Sequence, residues 1–243
     1  MARESGYDRH LTVFSPQGRL YQLEYAFKRV KTSTLTTVGM RGEDCVVVAT
    51  EKKVQDKMVV ASSVTNVYKI TDSIMAVMTG VAADGRQVAI EARRIASEFQ
   101  FDNGIAIPVD FLARRVADKA QVFTQHAGRR IFSVVVMLMA VDDELGPQLW
   151  RIDPAGLCMG YKAAAAGVKE QEAVNNLEKK IKSDTAPRTR EEVTRATVDT
   201  LQAVLGEDFK ARDIEVAVVT AKDAIVLDDA EVDAHLTAIA EAD

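Results

Sequence analysis

Two kinds of hydrophobic patterning alternate along this chain, stripes spaced at 3.6 residues and short β-branched runs, and their order gives the first view of its architecture. Ser15-Pro16-Gln17-Gly18 places Pro second and Gly fourth, the type I turn arrangement. Over residues 19–31, Leu23, Ala26, Phe27 and Val30 then fall at i, i+3, i+4 and i+7, which predicts a helix, while Leu20, Tyr21 and Tyr25 lie off that stripe. Such a helix has two apolar faces, one suited to its own domain and one to a neighbouring subunit. Runs at 35–40, 45–50, 67–70 and 74–79, broken by Gly42, Asp44 and Asp72, read as a strand meander. A helix over 82–99 follows, and after Pro108 a second carries Val109, Leu112, Ala113, Val116, Ala120 and Phe123 on one face; Gly128 closes the pair. Strands resume at 131–141, 148–152 and 157–162, and a second helix pair covers 169–182 and 190–205. Thr189 with Glu192 forms a capping box, and Gly206 suits the left-handed position just past the helix end. A hairpin at 214–220 and 224–227 leads to a last helix, opened by Asp228 with Glu231 and bearing Val232, Leu236 and Ile239. Segregated blocks of strands and helices predict an α+β fold, a four-layer αββα sandwich of two antiparallel sheets.

Length and composition narrow the function classes. At 243 residues, one domain with one continuous core is the default. A formal charge of −5 gives no general attraction to phosphate backbones, so neither nucleic acid nor a membrane surface is expected as a partner. The longest apolar run, 134–141, is far short of the roughly 20 residues that span a bilayer. The first residues carry an acid early and no apolar core of a secretory signal, so the chain is expected to stay inside the cell. Cys45 and Cys158 lack metal-ligand or Cys-x-x-Cys spacing and read as reduced, core-filling thiols.

Candidate chemistry thins out on inspection. Gly80 to Gly85 has the G-x-x-x-x-G spacing of a phosphate loop, but Arg86 and Gln87 follow it, and Gln offers no hydroxyl for Mg²⁺, so a strand-to-helix turn is the better reading. His10, His126 and His235 are scattered without ligand spacing, so no metal and no cofactor is expected. No G-x-S-x-G elbow occurs. Thr34, Thr36 and Thr37 raise a third route, a threonine nucleophile activated by its own α-amino group. That route needs upstream cleavage to expose a free amine; without it, these are ordinary β-branched strand residues.

A longer pattern is more specific. Tyr7-Asp8-Arg9, Thr12-Val13-Phe14-Ser15-Pro16, Gly18-Arg19-Leu20, Gln22 and Glu24-Tyr25-Ala26 together resemble the N-terminal signature of proteasome α subunits. Lys52-Lys53-Val54, Thr79-Gly80 with Asp84, Asp118, Phe123-Thr124-Gln125 and Asp153-Pro154-Ala155-Gly156 extend the resemblance over nearly the whole chain. Within the family, His10, Phe27-Lys28, Ala166-Gly167-Val168-Lys169, Leu177-Glu178-Lys179-Lys180 and Asp233-Ala234-His235-Leu236 resemble the subfamily called alpha type 6.

The resemblance implies the αββα fold shared with N-terminal nucleophile hydrolases, with a gate segment and ring helix at 1–34 and the sandwich at 35–243. Laid on the catalytic β subunits through Val38-Gly39, the nucleophile position falls on Leu35, the processing glycine on Thr34, the acidic partner on Glu51 and the lysine on Asn66, which implies no catalytic residues and no peptidase activity. It implies partnership with other α subunits in a seven-membered ring, with β subunits of the 20S core, with a regulatory particle or other activators, and with unfolded polypeptide substrates, in cytoplasm and nucleus. The family's gate cluster maps to Tyr7, Asp8, Arg9, Pro16 and Tyr25. Asn66 stands where several α subunits carry the lysine that meets an activator's C-terminal carboxylate.

Overall fold

A computed structural model describes residues 6–10, 12–33, 35–54, 56–183, 186–206 and 210–241. After a 3₁₀ turn at Tyr7–Arg9, the elements are α1 (Tyr21–Lys31), β1 (Thr36–Arg41), β2 (Cys45–Glu51), β3 (Val67–Lys69), β4 (Met75–Gly80), α2 (Ala82–Asn103) and α3 (Val109–Gln125). They continue with β5 (Val134–Asp142), β6 (Gly146–Ile152), β7 (Cys158–Tyr161), β8 (Ala163–Gly167), α4 (Glu170–Lys182), α5 (Arg190–Leu205), β9 (Ile214–Thr220), β10 (Ala224–Val226) and α6 (Asp229–Ala240).

The strands form two antiparallel five-stranded sheets, ordered β10-β9-β2-β1-β8 and β3-β4-β5-β6-β7. The four-layer αββα sandwich expected from the sequence is the observed architecture. One inner layer of side chains, including Val46, Val48, Val77, Met137 and Leu149, fills the space between the sheets. Val47, Ala49, Val216 and Val218 point the other way, toward α4, α5 and α6, while Ala76, Met78, Val136 and Leu138 point toward α2 and α3. Central strands with both faces covered need apolar residues at every position, and β2 is buried along its whole length.

Two expectations need correction. The first four strands are not one meander: β1 and β2 pair in one sheet, β3 and β4 in the other. The long segment between β2 and β3 carries the chain across, which the apolar runs alone do not reveal. The block of strands expected to end at 157–162 runs on: that strand is β7, paired with β6, and an unmarked strand, β8, follows it and pairs with β1. Strand β8 is the run Ala163-Ala164-Ala165-Ala166-Gly167, and alanine is the best intrinsic helix former. Its pairing with β1 overrides that preference, and the small side chains let both flanking layers come close. Gly167 closes the strand at φ 108, where an added Cβ would lie 2.0 Å from the Leu35 carbonyl oxygen. Only glycine fits there.

Helix boundaries follow the caps. Thr189 and Glu192 make the reciprocal capping box on α5, and Gly206 ends it at φ 64 in the left-handed region. Asp228 and Glu231 do the same at the start of α6. The Gly18 amide donates to the Ser15 carbonyl at 2.8 Å, closing the turn before α1.

Candidate functional site

The residues that could carry chemistry converge at the head of β1, where it meets the end of β2 and the start of β3. Val168 N donates to the Leu35 carbonyl at 3.1 Å, and the next amide, Thr36 N, donates to Glu51 Oε2 at 2.6 Å. The other carboxylate oxygen, Glu51 Oε1, takes the Lys53 ammonium at 2.8 Å. A carboxylate whose side chain is only 3% exposed needs such partners, because leaving it unpaired costs several kcal/mol, about 3–5 when one member of a buried pair is removed. Asn66 is buried; its Nδ2 donates to the Glu51 carbonyl at 3.4 Å and its own amide donates to Glu215 Oε2 at 2.9 Å. Lys52 stands 3.7 Å from the other Glu215 oxygen. Beneath this, Thr37, Thr50 and Thr79 link their hydroxyls at 2.7 Å each in a fully buried chain. The Thr36 hydroxyl is buried and has no hydrogen-bond partner among the described residues.

The three positions aligned with a catalytic constellation are thus brought together, Leu35, Glu51 and Asn66, and their chemistry is not that of a nucleophile. Leu35 has no hydroxyl. The nitrogen beside it is a peptide N–H that can donate but cannot take a proton, and Asn66 is a neutral amide. The Thr36 hydroxyl is fully buried, and the one ammonium that pairs with Glu51 is spent on it. The arrangement tethers the head of β1 to the ends of β2 and β3. Thr34 lies outside the described residues.

At the other end of the N-terminal segment, the Tyr7–Arg9 turn rests on α1. Ser15 is buried, its side-chain oxygen accepting from the Arg19 amide at 3.1 Å, so the Pro16 turn is fixed while Pro16 itself is exposed. Arg19 then grips Glu24 through two bonds of 2.8 and 2.5 Å and lies 4.7 Å over the Tyr21 ring. That contact holds the Glu24 carboxyl below its usual range through the Arg19 hydrogen bond. Ala26 and Val30 bury one face of α1 against β4, β5 and β8. Tyr25, on the second face, stays 44% exposed, with its ring 6.4 Å from Tyr21. Of the five positions to which the resemblance maps a gate cluster, Tyr7, Arg9, Pro16 and Tyr25 lie on this one turn-and-helix unit; the Asp8 side chain lies outside what is described.

The remaining candidates are structural. Gly85 packs where an added Cβ would lie 2.9 Å from the Met78 Cβ, so the G-x-x-x-x-G segment is a close strand-to-helix turn. Its Asp84 is buried and accepts two bonds from Arg130, at 2.8 and 2.5 Å, and one from the Ser133 amide at 2.8 Å. Burial pushes this carboxyl up, but the Arg130 and Ser133 bonds and the Arg130 charge outweigh it and hold it below the ordinary value. Burial likewise pushes the Cys45 thiol up to about 12 and the Cys158 thiol to about 11, so both stay protonated and unreactive at neutral pH. His235 is held below its ordinary value by burial, and His10 and His126 are exposed. Among the described residues no group of three His, Cys, Asp or Glu side chains is placed to hold a metal ion. No helix among them is long and apolar enough to cross a membrane.

The sequence marked Glu51, Asn66 and Asp84 but missed what they bind. Glu215 carried a signal of its own, a lone acid in the otherwise apolar run 214–219. Lys53 was marked only as part of the Lys52-Lys53-Val54 pattern, and Arg130 carried no signal, because its partner Asp84 is distant in the chain.

Comparison with known proteins gives the family of this fold. Residues 30–219 match the family model described as "Proteasome subunit", and residues 7–28 match the model of the N-terminal signature of A-type proteasome subunits. This chain belongs to the proteasome α-type subunit family. It is 46% identical to the probable alpha type-1 proteasome subunit of Schizosaccharomyces pombe, over 100% of both chains. It is 39% identical to the alpha type-6 proteasome subunit of Caenorhabditis elegans over 98% of each, and 37% identical to the alpha proteasome subunit of Methanopyrus kandleri over 89% of this chain and 86% of that one. Relatives with two different type numbers align over essentially the full length, so the comparisons establish the α class and not the type. The signature that defines the class covers the Tyr7–Arg9 turn, the Pro16 turn and most of α1, the unit just described.

Proposed function

We propose that this α-type subunit is a non-catalytic member of the outer seven-membered ring of the 20S proteasome, where it governs the passage of unfolded polypeptides toward the peptidase chamber and offers docking surfaces to activators. Its partners are other α subunits, the β subunits beneath them and an activator above, in cytoplasm and nucleus, and we assign it to alpha type 6 on the residues that resemble that subfamily. Residues 1–34 then serve as gate segment and ring helix on the sandwich of 35–243. Tyr7, Asp8, Arg9, Pro16 and Tyr25 form the gate cluster. The observation that carries this reading is α1 itself, a helix held to its own domain by Ala26 and Val30 and covered over most of its length by the α-type signature, with Tyr25 on its second face 44% exposed.

The head of β1 supports the absence of catalysis: with Leu35 at the nucleophile position and the adjoining amide bonded to Glu51, no base and no hydroxyl are poised to react. The groove beside Asn66 is proposed to bind carboxylate-ended activator tails weakly. Its amide is buried against the Glu51 carbonyl, and the adjoining lysines, Lys52 and Lys53, are engaged by Glu215 and Glu51.

Deleting residues 1–31 tests the assignment through assembly. Native electrophoresis should show the shortened chain excluded from α rings, while the full chain incorporates and, purified alone, hydrolyses no peptide. Undiminished incorporation would mean that α1 serves only its own domain. Turnover by the isolated full chain, blocked by a threonine-directed covalent reagent and accompanied by a mature N-terminal threonine, would instead establish an autoprocessed hydrolase.

A further inference from the structure

Between α2, α3 and the outer face of β5 and β6 lies a cavity of about 530 Å³, within the range typical of small-molecule pockets, about 300–1,000 Å³. Its floor is apolar, made by Val134, Val136 and Ile152, and Val116, Phe123 and Phe132 continue the apolar lining. Phe123 and Phe132 meet edge to face at 5.0 Å, so the aromatic wall is held rigid by its own contact. At the rim, the charges are unequal in availability. Lys119 is engaged by Glu91, and Arg94 by both Glu91 and Glu98. Asp153 turns inward, its carboxylate accepting from the Ala155 and Leu157 amides at 2.9 Å each. Arg129 is different: its guanidinium lies 5.5 Å over the Phe123 ring and makes no salt bridge among the described residues.

We propose that this cavity binds an amphipathic monocarboxylate, with its hydrocarbon body on the valine and phenylalanine lining and its carboxylate on Arg129. Of the three cations in the lining, Lys119 and Arg94 are taken by Glu91 and Glu98, and Arg129 is the one that can receive a further negative charge. A guanidinium stacked on an aromatic ring keeps its N–H groups directed outward and free to grip a carboxylate. A dication or a neutral sugar would leave the apolar floor or Arg129 unmatched. The assignment is independent of the gating role, since the cavity lies on the α2/α3 layer and uses no residue of the N-terminal segment.

The test uses the purified full-length chain and dodecanoate, below its micellar concentration, with a diazirine-bearing analogue for cross-linking. Cross-links should fall on α2, α3 and residues 131–137, and dodecanoate should bind about tenfold more tightly than 1-dodecanol, the scale of one charge-assisted hydrogen bond. Arg129→Gln should remove that preference while leaving dodecanol binding unchanged; because Arg129 is exposed, this variant tests the charge without disturbing the core. Ala120→Phe, which fills the cavity from α3, should abolish both, with circular dichroism showing that the fold persists. Cross-links elsewhere, equal affinity for the alcohol, or dodecanoate binding that survives in a folded Ala120→Phe chain would each overturn the proposal.

Discussion

The two helical layers rest on sheets of the same size, yet they are held in opposite ways. Above β1, β2 and β8, α4 settles onto the alanine strand and α5 onto β1 and β2, and Ala173, Val193, Val198 and Leu201 are buried completely. Above β4, β5 and β6, α2 and α3 leave a cavity between them, and Phe101 in the last turn of α2 and Ile105 just after it are 90% and 61% exposed. The helix starts differ too. A side-chain capping box opens α5, whereas α2 starts after Val81 with no side-chain cap and secures its first turn by Asp84 on Arg130 and Ser133. One layer thus draws its order from close packing and local caps. The other draws it from long-range polar contacts, which leaves apolar surface and volume open for ligands or neighbouring subunits.

One substitution made in both layers breaks this comparison most directly. Val198 on α5 is fully buried, and Val116 on α3 borders the cavity. Replacing either with alanine removes the same atoms, so the transfer cost is shared at about 1.6 kcal/mol for two methylene equivalents, and the rest depends on packing. Val198→Ala should lose about 2.5 kcal/mol, because the hole it leaves is lined by partners that cannot close in. Val116→Ala should lose about 1.6 kcal/mol, the transfer cost alone, since its side chain already lacks neighbours on the cavity side. Urea unfolding of the full chain measures both. Equal losses would mean that the cavity has no energetic consequence and the two layers are packed alike.

The polar tether of α2 predicts a pH signature carried by a long-range pair. The Asp84 carboxyl is held below its unfolded value, so its contribution is complete above that value and disappears as pH falls through the lower, folded one. Asp84→Asn should cost about 2 kcal/mol at pH 7, less than a fully buried pair because the Arg130 side chain is 65% exposed to solvent. That difference should shrink steadily below pH ~4, the ordinary aspartate range, until the two proteins unfold alike in strong acid. A gap between wild type and variant that stays constant from pH 7 to strong acid would show that Asp84 acts through shape and not charge.

How much of this was legible in the sequence follows from range. Features fixed within a few residues were read correctly: the Ser15 to Gly18 turn, the Thr189 and Asp228 capping boxes, the α5 span and the buried run of β2. What failed was decided at a distance. Strand β8 is an alanine run whose conformation is set by pairing with β1, residues far earlier in the chain, and no local preference announces it. The assignment of β3 and β4 to the second sheet depends on a crossing that apolar periodicity does not encode. The candidate site divides along the same line. Leu35, Glu51 and Asn66 could be placed by family pattern, and the structure brings them together, but the bonds from Thr36, Lys53 and Glu215 that make the cluster a tether required three dimensions.

The smallest effect expected concerns the local cap on α5. The Thr189 side chain accepts from the Glu192 amide, and the Glu192 carboxylate reaches back to the Thr189 and Arg188 amides at 3.2 and 3.0 Å. These backbone bonds hold the Glu192 carboxyl below its usual range, a sign that the charged form is the one the helix start selects. Thr189→Ala removes one half of the box and should cost about 1 kcal/mol, in the middle of the range for N-cap substitutions. Thr189→Ser retains an oxygen of the same reach and should cost well under half of that. The effect should also be local, raising hydrogen exchange at the first turn of α5 while leaving α2 amides unchanged, because no bond of the box crosses to the other layer. A Thr189→Ala variant that loosened both layers equally would break the contrast, showing that the capped helix and the tethered one unfold as a single unit whose stability is shared across the sandwich.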